Sequence, residues 1–558
     1  MRFSRGKDLA TIMWSAPLKV QESRAWPAGW TLERGALMKI LVLLFSLPWG
    51  MAFAAQSCES LSKLALTATV ITHAETIGTG TFTPPEGKAV DGLPSFCRVS
   101  GTIHPSADSD IQFEVWLPST GWNGKFYGVG NGGYAGAINF GQMGAGLKQR
   151  YATASTDTGH RAGGTDATWA LGHPEKITDF GYRAIHETAV KAKLIIAAFY
   201  GDGAKRSFFS SCSNGGRQAL MEAQRFPEDY DGIIAGAPAN YWTHLLSNAA
   251  WDLLALGSKE SFVPSTKLPA IEKAALQACD ALDGVKDGVI EDPAHCHFDP
   301  SVLQCAGGET DSCLTQPQLT ALKKLYAGSR WSNGKQVFPG YPPGGEAEVG
   351  GWSVWIAGRT PDHSLMYAFG TQFFKNMVFQ DPAWDYHRFQ VDRNTKSADA
   401  KMAHALNSND PDLSRFQARG GKLILYHGWS DAAISAQNTI DYYKSVVAKM
   451  GARKAGGFVR LYMVPGMQHC GGGPGPDSFG QLGIPMGDAE HDLGAAMDRW
   501  VEQGVAPKEI IAAKYQKDSD PASGVVRTRP LCVYPLVAHY KGSGSTDDAA
   551  NFTCGAAN

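Results

Sequence analysis

A serine set among small residues where a strand gives way to a helix is a candidate nucleophile, and Ser211-Cys212-Ser213-Asn214-Gly215-Gly216 supplies one in Ser213. Ser207–Ser211 before it reads as a short strand, and Asn214–Arg225 after it as a helix. On such a turn the Ser213 hydroxyl stands clear of the sheet edge. The N–H of Asn214, at the start of the helix, faces the place where a tetrahedral oxyanion would form. A hydroxyl needs an imidazole to take its proton and a carboxylate to hold the imidazole's tautomer. Asp431 lies just beyond an expected strand at 422–427, in His427-Gly-Trp-Ser-Asp-Ala432. His469 lies just beyond another at 458–463, in Pro465-Gly-Met-Gln-His-Cys-Gly471. The order serine, acid, histidine, each in a loop after a strand, is that of an α/β-hydrolase. The turn departs from G-x-S-x-G by placing Ser211 at the first glycine, so order and placement carry the assignment rather than the motif. A second oxyanion donor is expected from the glycine-rich loop 130–133, with Gly132 the residue chosen.

Cys212 directly precedes the candidate serine and Cys470 directly follows the candidate histidine. If the triad assembles, these two must lie close together, and a bond between them would clamp nucleophile to base. Cys212 as the nucleophile itself would need a free thiolate, which an oxidising compartment disfavours.

The elements that must position these groups alternate. Ile111, Phe113, Val115 and Leu117 mark a strand, and Lys125–Gly130 another leading into the glycine-rich loop. Residues 180–200 carry Ile185, Ala189, Ala192, Ile196 and Phe199 at helical spacing, with Asp179 as the expected N-cap. Gly232–Ala235 is a strand, residues 435–449 a helix, and 488–502 a helix burying Leu493, Met497 and Trp500. Strand–helix alternation of this kind predicts a mostly parallel sheet with helices on both faces. Between the halves, residues 246–415 look irregular and read as an inserted lid domain between core segments 55–245 and 416–558. Residues 352–389 hold ten aromatics in a chain that is 10% aromatic. Most are expected to form the insertion's own core, and some to line a slot for an aromatic acyl group.

Composition bounds the rest. With 558 residues, 43% hydrophobic and 19% charged, the chain is long enough for large cores and excludes a disordered protein. Its 51 basic and 53 acidic residues give no global pull toward nucleic acid or anionic lipid. The apolar run 40–54 is too short to span a bilayer, follows Lys39 and ends in Ala52-Phe53-Ala54, the anatomy of a signal peptide cleaved after Ala54. Residues 1–37 fit neither a signal nor a domain, and Met38 is an alternative start, so 1–54 is set aside as signal and extension. All ten cysteines follow the proposed cleavage site, and their even number predicts five disulfides in a secreted or periplasmic protein. A zinc site around Cys279, His295, Cys296, His297, Cys305 and Cys313 lacks the C-x2-C spacing.

Cys212-Ser-x-Gly-Gly216, the Gly-Trp-x-Asp431 turn and Gly466-Met-x-His-Cys470 resemble the tannase and feruloyl esterase family over nearly the whole mature chain. The resemblance implies an α/β-hydrolase core with an inserted lid, Ser213 as nucleophile, His469 as base and then acid, and Asp431 as the residue orienting it. It implies the pairs Cys58–Cys97, Cys212–Cys470, Cys279–Cys296, Cys305–Cys313 and Cys532–Cys554, which the sequence alone leaves open. It also changes the reading of the acidic turn 279–292, which by itself is a solvated loop without EF-hand spacing. The resemblance implies a structural Ca2+ held there by the side chains of Asp280, Asp283 and Asp287 and the carbonyls of Val285 and Val289. The expected activity is that of a serine carboxylesterase on small aromatic esters: hydroxycinnamoyl first, then galloyl, then terephthalate monoesters. A catalytically silent binding protein on the same fold is the alternative from another class, and three intact triad residues argue against it.

Overall fold

The computed structural model describes residues 55–481, 483 and 486–557, so the expected signal segment lies outside the described residues. Nine strands form the main sheet: β1 (Thr69–Ile77), β2 (Phe96–Ile103), β3 (Ile111–Pro118), β4 (Lys125–Val129), β5 (Ala152–Thr156), β6 (Arg206–Cys212), β7 (Gly232–Gly236), β8 (Lys422–Gly428) and β9 (Val459–Val464). Their spatial order is β1-β2-β3-β5-β4-β6-β7-β8-β9. β1, β2, β3 and β5 pair antiparallel, and every pairing from β5 onward to β9 is parallel.

A parallel sheet must be covered on both faces, so its strands are apolar almost without a break. All five residues of β7, Gly-Ile-Ile-Ala-Gly, are buried, as is β8 after its first lysine. Successive side chains then go to opposite faces. Phe209, Ile233, Leu423 and Leu425 pack with Ile196, Leu220 and Ile440 on one side. Phe208, Ile234, Ile424 and Tyr426 pack with Leu493, Met497 and Trp500 on the other. The helices are α1 (Ala184–Tyr200), α2 (Asn214–Arg225), α3 (Trp242–Leu256), α4 (Leu268–Cys279), α5 (Gln316–Ala327), α6 (Leu365–Gln372), α7 (Val391–Leu406), α8 (Ala436–Met450) and α9 (Leu493–Gln503). Thus α1, α2 and α8 cover one face and α9 the other, which is the expected α/β core.

Three expectations are corrected. Asp179 is not a helix cap: the chain is already helical from Pro174, and Asp179 is buried with its carboxylate accepting from Arg183 Nε at 2.5 Å. The last helix starts at Leu493 rather than 488, because Asp492 caps it through the Ala495 N–H (2.8 Å). The stretch 246–415 is not irregular, since α4 to α7 lie within it and α3 runs across its first boundary. The signals were present but short: α5 opens on a Thr315/Gln318 capping box and buries Leu319, Leu322 and Leu325 at helical spacing. The insertion joins β7 to β8, which are neighbours in the sheet, and the described residues belong to one compact unit.

Two buried carboxyls give the fold a pH dependence. Burial pushes Asp157 up to about 8, against the Gly159 and Gln112 N–H groups it accepts from. Burial pushes Glu346 up to about 7, against bonds from Tyr326 and Gly344. Both folded values lie above the unfolded ones near ~4, so the stability each contributes is complete below ~pH 4 and is lost as pH rises through 7 to 8. Thermal unfolding is therefore expected to show a lower Tm at pH 8.5 than at pH 5.5. Asp157→Asn combined with Glu346→Gln should narrow that difference, the remainder coming from Glu291 and Glu348, which burial also pushes up to about 8 and about 7. An unchanged slope in the double variant would contradict the assignment.

Candidate active site

Ser213 sits between β6 and α2 with φ 67° and ψ −126°, a conformation a residue with a Cβ adopts only when its surroundings force it. Its N–H donates to Gly236 O on β7 (3.0 Å), and its carbonyl accepts from Arg217 N (3.0 Å) and Ala239 N (3.1 Å). The turn is tight enough that a Cβ at Gly216 would fall 2.3 Å from the Gly236 carbonyl oxygen.

His469 Nε2 lies 2.9 Å from Ser213 Oγ, and His469 Nδ1 lies 2.8 Å from Asp431 Oδ2. Facing a carboxylate, Nδ1 carries the proton, which leaves Nε2 free to accept from the serine. Asp431 is 1% exposed. Its Oδ1 accepts from the N–H groups of Ala433 (2.8 Å) and Ile434 (2.9 Å). A second histidine, His427, also reaches Oδ2, through Nε2 at 3.1 Å. Burial alone would push the Asp431 carboxyl up. The charge of His469, followed by hydrogen bonds from His427 and His469, holds it well below the usual carboxylate range.

Cys212 and Cys470 are bonded, their Cα atoms 6.0 Å apart across 258 residues of chain. The other bridges are Cys58–Cys97, Cys279–Cys296, Cys305–Cys313 and Cys532–Cys554. Asn214 opens α2 and is buried, its side-chain oxygen taken by Arg217 Nε (2.8 Å) and its amide held near Asn131 O (3.3 Å). Gly132, in contrast, is exposed and does not line the cavity beside the serine, whereas Gly133 does. The loop turns once more than its sequence indicates, through bonds from Ala135 N to Gly132 O and from Tyr134 N to Gly164 O.

The cavity over Ser213 is walled by Trp242, Leu245 and Leu246 of α3, Trp355, and Met366 and Phe369 of α6, with Ala433 and Ile434 from the loop that carries Asp431. Of the aromatics in 352–389, Trp355 and Phe369 line it and stack on each other at 5.8 Å, and Trp355 meets the His469 ring edge-on at 5.1 Å. Phe373, Phe374 and Phe389 are core. Sequence reading missed His427, Gly133 and the α3 residues. His427 stood inside the quoted motif, and α3 has an apolar face that the assumed irregularity concealed.

The acidic turn is organised by main-chain N–H groups. Asp280 accepts from Asp287 N and Gly288 N (both 3.2 Å), Asp283 from Val285 N (2.9 Å), and Asp287 from Val289 N (3.2 Å) and from Arg529 and Arg527. Val285 and Val289 are buried, and their carbonyl oxygens accept no hydrogen bond among the described residues. Burial, then the charges of Asp287 and Asp280, pushes the Asp283 carboxyl up. Three carboxylates with two unpartnered carbonyls are hard oxygen donors of the kind Ca2+ takes. A separate group that could hold a metal ion is His186, Glu222 and Asp229, whose ligand atoms all lie within 4.8 Å. It sits at the far end of α2 from Ser213. There His186 Nδ1 pairs with Asp229 Oδ2 at 2.6 Å, both Glu222 carboxyl oxygens are buried without a hydrogen-bond partner, and burial with the Asp229 charge pushes the Glu222 carboxyl well up.

A sheet with this order, carrying a serine on the β6–α2 turn and an acid and a histidine after β8 and β9, defines an α/β-hydrolase esterase. Residues 97–555 match the family described as tannase and feruloyl esterase, and the chain belongs to that family. It is 44% identical to an uncharacterized esterase of Xanthomonas campestris pv. campestris over 532 residues, covering 90% of this chain and 92% of that one. It is 34% identical to the mono(2-hydroxyethyl) terephthalate hydrolase of Piscinibacter sakaiensis, covering 85% and 87%. The crystal structure of feruloyl esterase B from Aspergillus oryzae superposes with a TM-score of 0.83 at 31% identity, over 89% of this chain and 99% of that one.

The Cys212–Cys470 bond closes a loop whose chain entropy corresponds to about 5 kcal/mol, and it fixes the residues next to both reacting groups. Cys212→Ala/Cys470→Ala is expected to lower Tm and to cut kcat about 10- to 100-fold, measured with a chromogenic ester below the variant's Tm. A lowered Tm with full kcat would reduce the bridge to a stabilising role.

Proposed function

We propose that the protein is a secreted serine carboxylesterase that hydrolyses esters of hydroxycinnamic acids through an acyl-enzyme on Ser213. The observation that carries the proposal is the hydrogen-bonded series Ser213–His469–Asp431, with distances of 2.9 and 2.8 Å. Ser213 Oγ attacks the ester carbonyl carbon as its proton passes to His469 Nε2, and Asp431 stabilises the imidazolium. The N–H groups of Asn214 and Gly133 receive the oxyanion, with Gly133 taking the place expected of Gly132. Collapse breaks the ester C–O bond, and His469 returns the proton to the departing alcohol. Water then attacks the acyl-enzyme with His469 as base, releasing the acid and restoring Ser213.

The substrate follows from the walls. Trp242, Leu245, Leu246, Trp355, Met366 and Phe369 offer apolar and aromatic surface to an acyl ring. No Lys or Arg lines this cavity among the described residues, so the free carboxylate of a terephthalate monoester would lose its hydration there without a partner. A galloyl ring would strand three hydroxyls against hydrocarbon, whereas a feruloyl ring carries one hydroxyl and a methoxy group. The insertion 246–415 acts as the lid that supplies most of these walls. Five disulfides fit an oxidising compartment, and no described helix is long and apolar enough to cross a membrane.

Methyl ferulate is expected to give a kcat/KM at least about tenfold above that of methyl gallate or mono(2-hydroxyethyl) terephthalate. Ser213→Ala should abolish turnover of all three while leaving the Tm within a few degrees. Retained turnover in that variant would refute the nucleophile, and a preference for either competitor would reassign the substrate.

Asp280, Asp283 and Asp287, with the carbonyls of Val285 and Val289, would hold Ca2+, which would neutralise the three carboxylates and tie the two ends of the turn together. It plays no part in acyl transfer. Removing calcium with a chelator should lower Tm, and added Ca2+ should restore it while Mg2+ does not, because binding to the folded state alone stabilises by mass action. A Tm that ignores chelator, in protein whose metal analysis shows no calcium, would remove the site.

A further inference from the structure

His427 is fully buried at the end of β8, four residues before the acid of the triad, and makes three polar contacts. Its Nε2 lies 3.1 Å from Asp431 Oδ2 and 2.9 Å from the carbonyl oxygen of Ile434. Its Nδ1 lies 2.7 Å from Thr439 Oγ1 on α8. A carboxylate and a carbonyl only accept, so Nε2 carries a hydrogen, while Nδ1 faces a threonine hydroxyl that can donate or accept. Asp431 Oδ2 is therefore shared by two imidazole N–H groups, one from His469 and one from His427. The Ile434 N–H on Oδ1 and the Ile434 carbonyl on His427 tie the same loop to both partners.

We propose that His427 is a positioning residue that acts through Asp431: a second imidazole N–H that fixes the carboxylate rotamer and draws charge from Oδ2, setting how strongly Asp431 stabilises the His469 imidazolium. This rests on the assignment of Ser213, Asp431 and His469 as the triad. Two hydrogen bonds to one oxygen compete, so losing the His427 bond leaves Oδ2 more basic toward His469 and raises the affinity of His469 for a proton. It also lets the carboxylate turn, which misorients the base. Thr439 belongs to the device, because its hydroxyl at 2.7 Å from Nδ1 holds the ring orientation that aims Nε2 at Asp431. Among the described residues no other titratable side chain is bonded to His427.

The test is kcat/KM against pH for His427→Phe, His427→Gln and Thr439→Val, each checked for its Tm, alongside 15N NMR of the histidine rings in the unaltered protein. The Phe variant is expected to lose about tenfold or more in kcat with KM within about twofold, and its acidic limb should move up by roughly half a pH unit. The Gln variant, whose amide can donate to Oδ2, should recover most of the loss and return the limb. Thr439→Val should shift the limb the same way by less. The NMR spectrum should show a hydrogen on His427 Nε2. An unmoved acidic limb in the Phe variant, equal losses in Phe and Gln, or a His427 Nε2 without a hydrogen would overturn the proposal. Each of those outcomes leaves the triad standing if Ser213→Ala is inactive, whereas an active Ser213→Ala would sink the triad itself.

Discussion

A single buried negative charge, that of Asp431, is what the surrounding structure is arranged to hold. An uncompensated carboxylate at this depth would cost several kcal/mol and would simply take up a proton. Four donors prevent that: the N–H groups of Ala433 and Ile434 on Oδ1, and the two histidines on Oδ2. Each donor comes from a segment whose place is fixed by the parallel sheet. The Asp431 loop follows β8, His427 is part of β8, and His469 follows β9 one strand further out. The adjacency of β8 and β9 is thus what lets a carboxylate and an imidazole meet without long flexible side chains. The charge, once held, gives His469 the tautomer its chemistry requires.

The serine side of the site is held by a different term. Ser213 occupies backbone space that costs of order 1–3 kcal/mol, and three main-chain bonds to β7, α2 and the following turn offset the strain. The disulfide from Cys212 to Cys470 then ties this turn to the histidine turn, and the Trp355 ring packs edge-on against His469 from the other side. Strain, bridge and buried charge all concern the same few ångströms, and the rest of the core exists to keep β6, β7, β8 and β9 in register.

How much of this was legible in the sequence varies by mechanism. The parallel core was readable, because strands buried on both faces must be apolar runs, as in Gly232–Ala235 and Lys422–His427. The candidate triad positions were readable, because strand-end placement and chain order constrain them strongly; the model brings those three side chains within hydrogen-bond reach. Gly133 rather than the expected Gly132 lines the cavity beside Ser213, a one-residue difference that depends on φ values no periodicity reports. Asp179 resembled a cap by type and position, but its burial under Arg183 is a tertiary fact. The helices of the insertion were overlooked because disulfides and glycines interrupt their flanks, although α5 announced itself by a capping box. His427 was in view and unassigned, for its meaning lies in a contact with a residue four positions on, across a turn rather than a helix.

These differences divide the molecule by physical task. The proposed triad lies at strand ends in the core, where main-chain ladders fix hydrogen-bond geometry. Groups that would select the acyl chain lie on α3, α6 and Trp355, where contact is apolar and non-directional. A non-directional wall tolerates substitution, because a change of shape there alters affinity by the area it covers, about 25 cal/mol per Å2. A directional network does not, because losing one partner leaves a buried group unsatisfied. The insertion can therefore vary its walls to suit different aromatic acids while the β8–β9 network stays fixed.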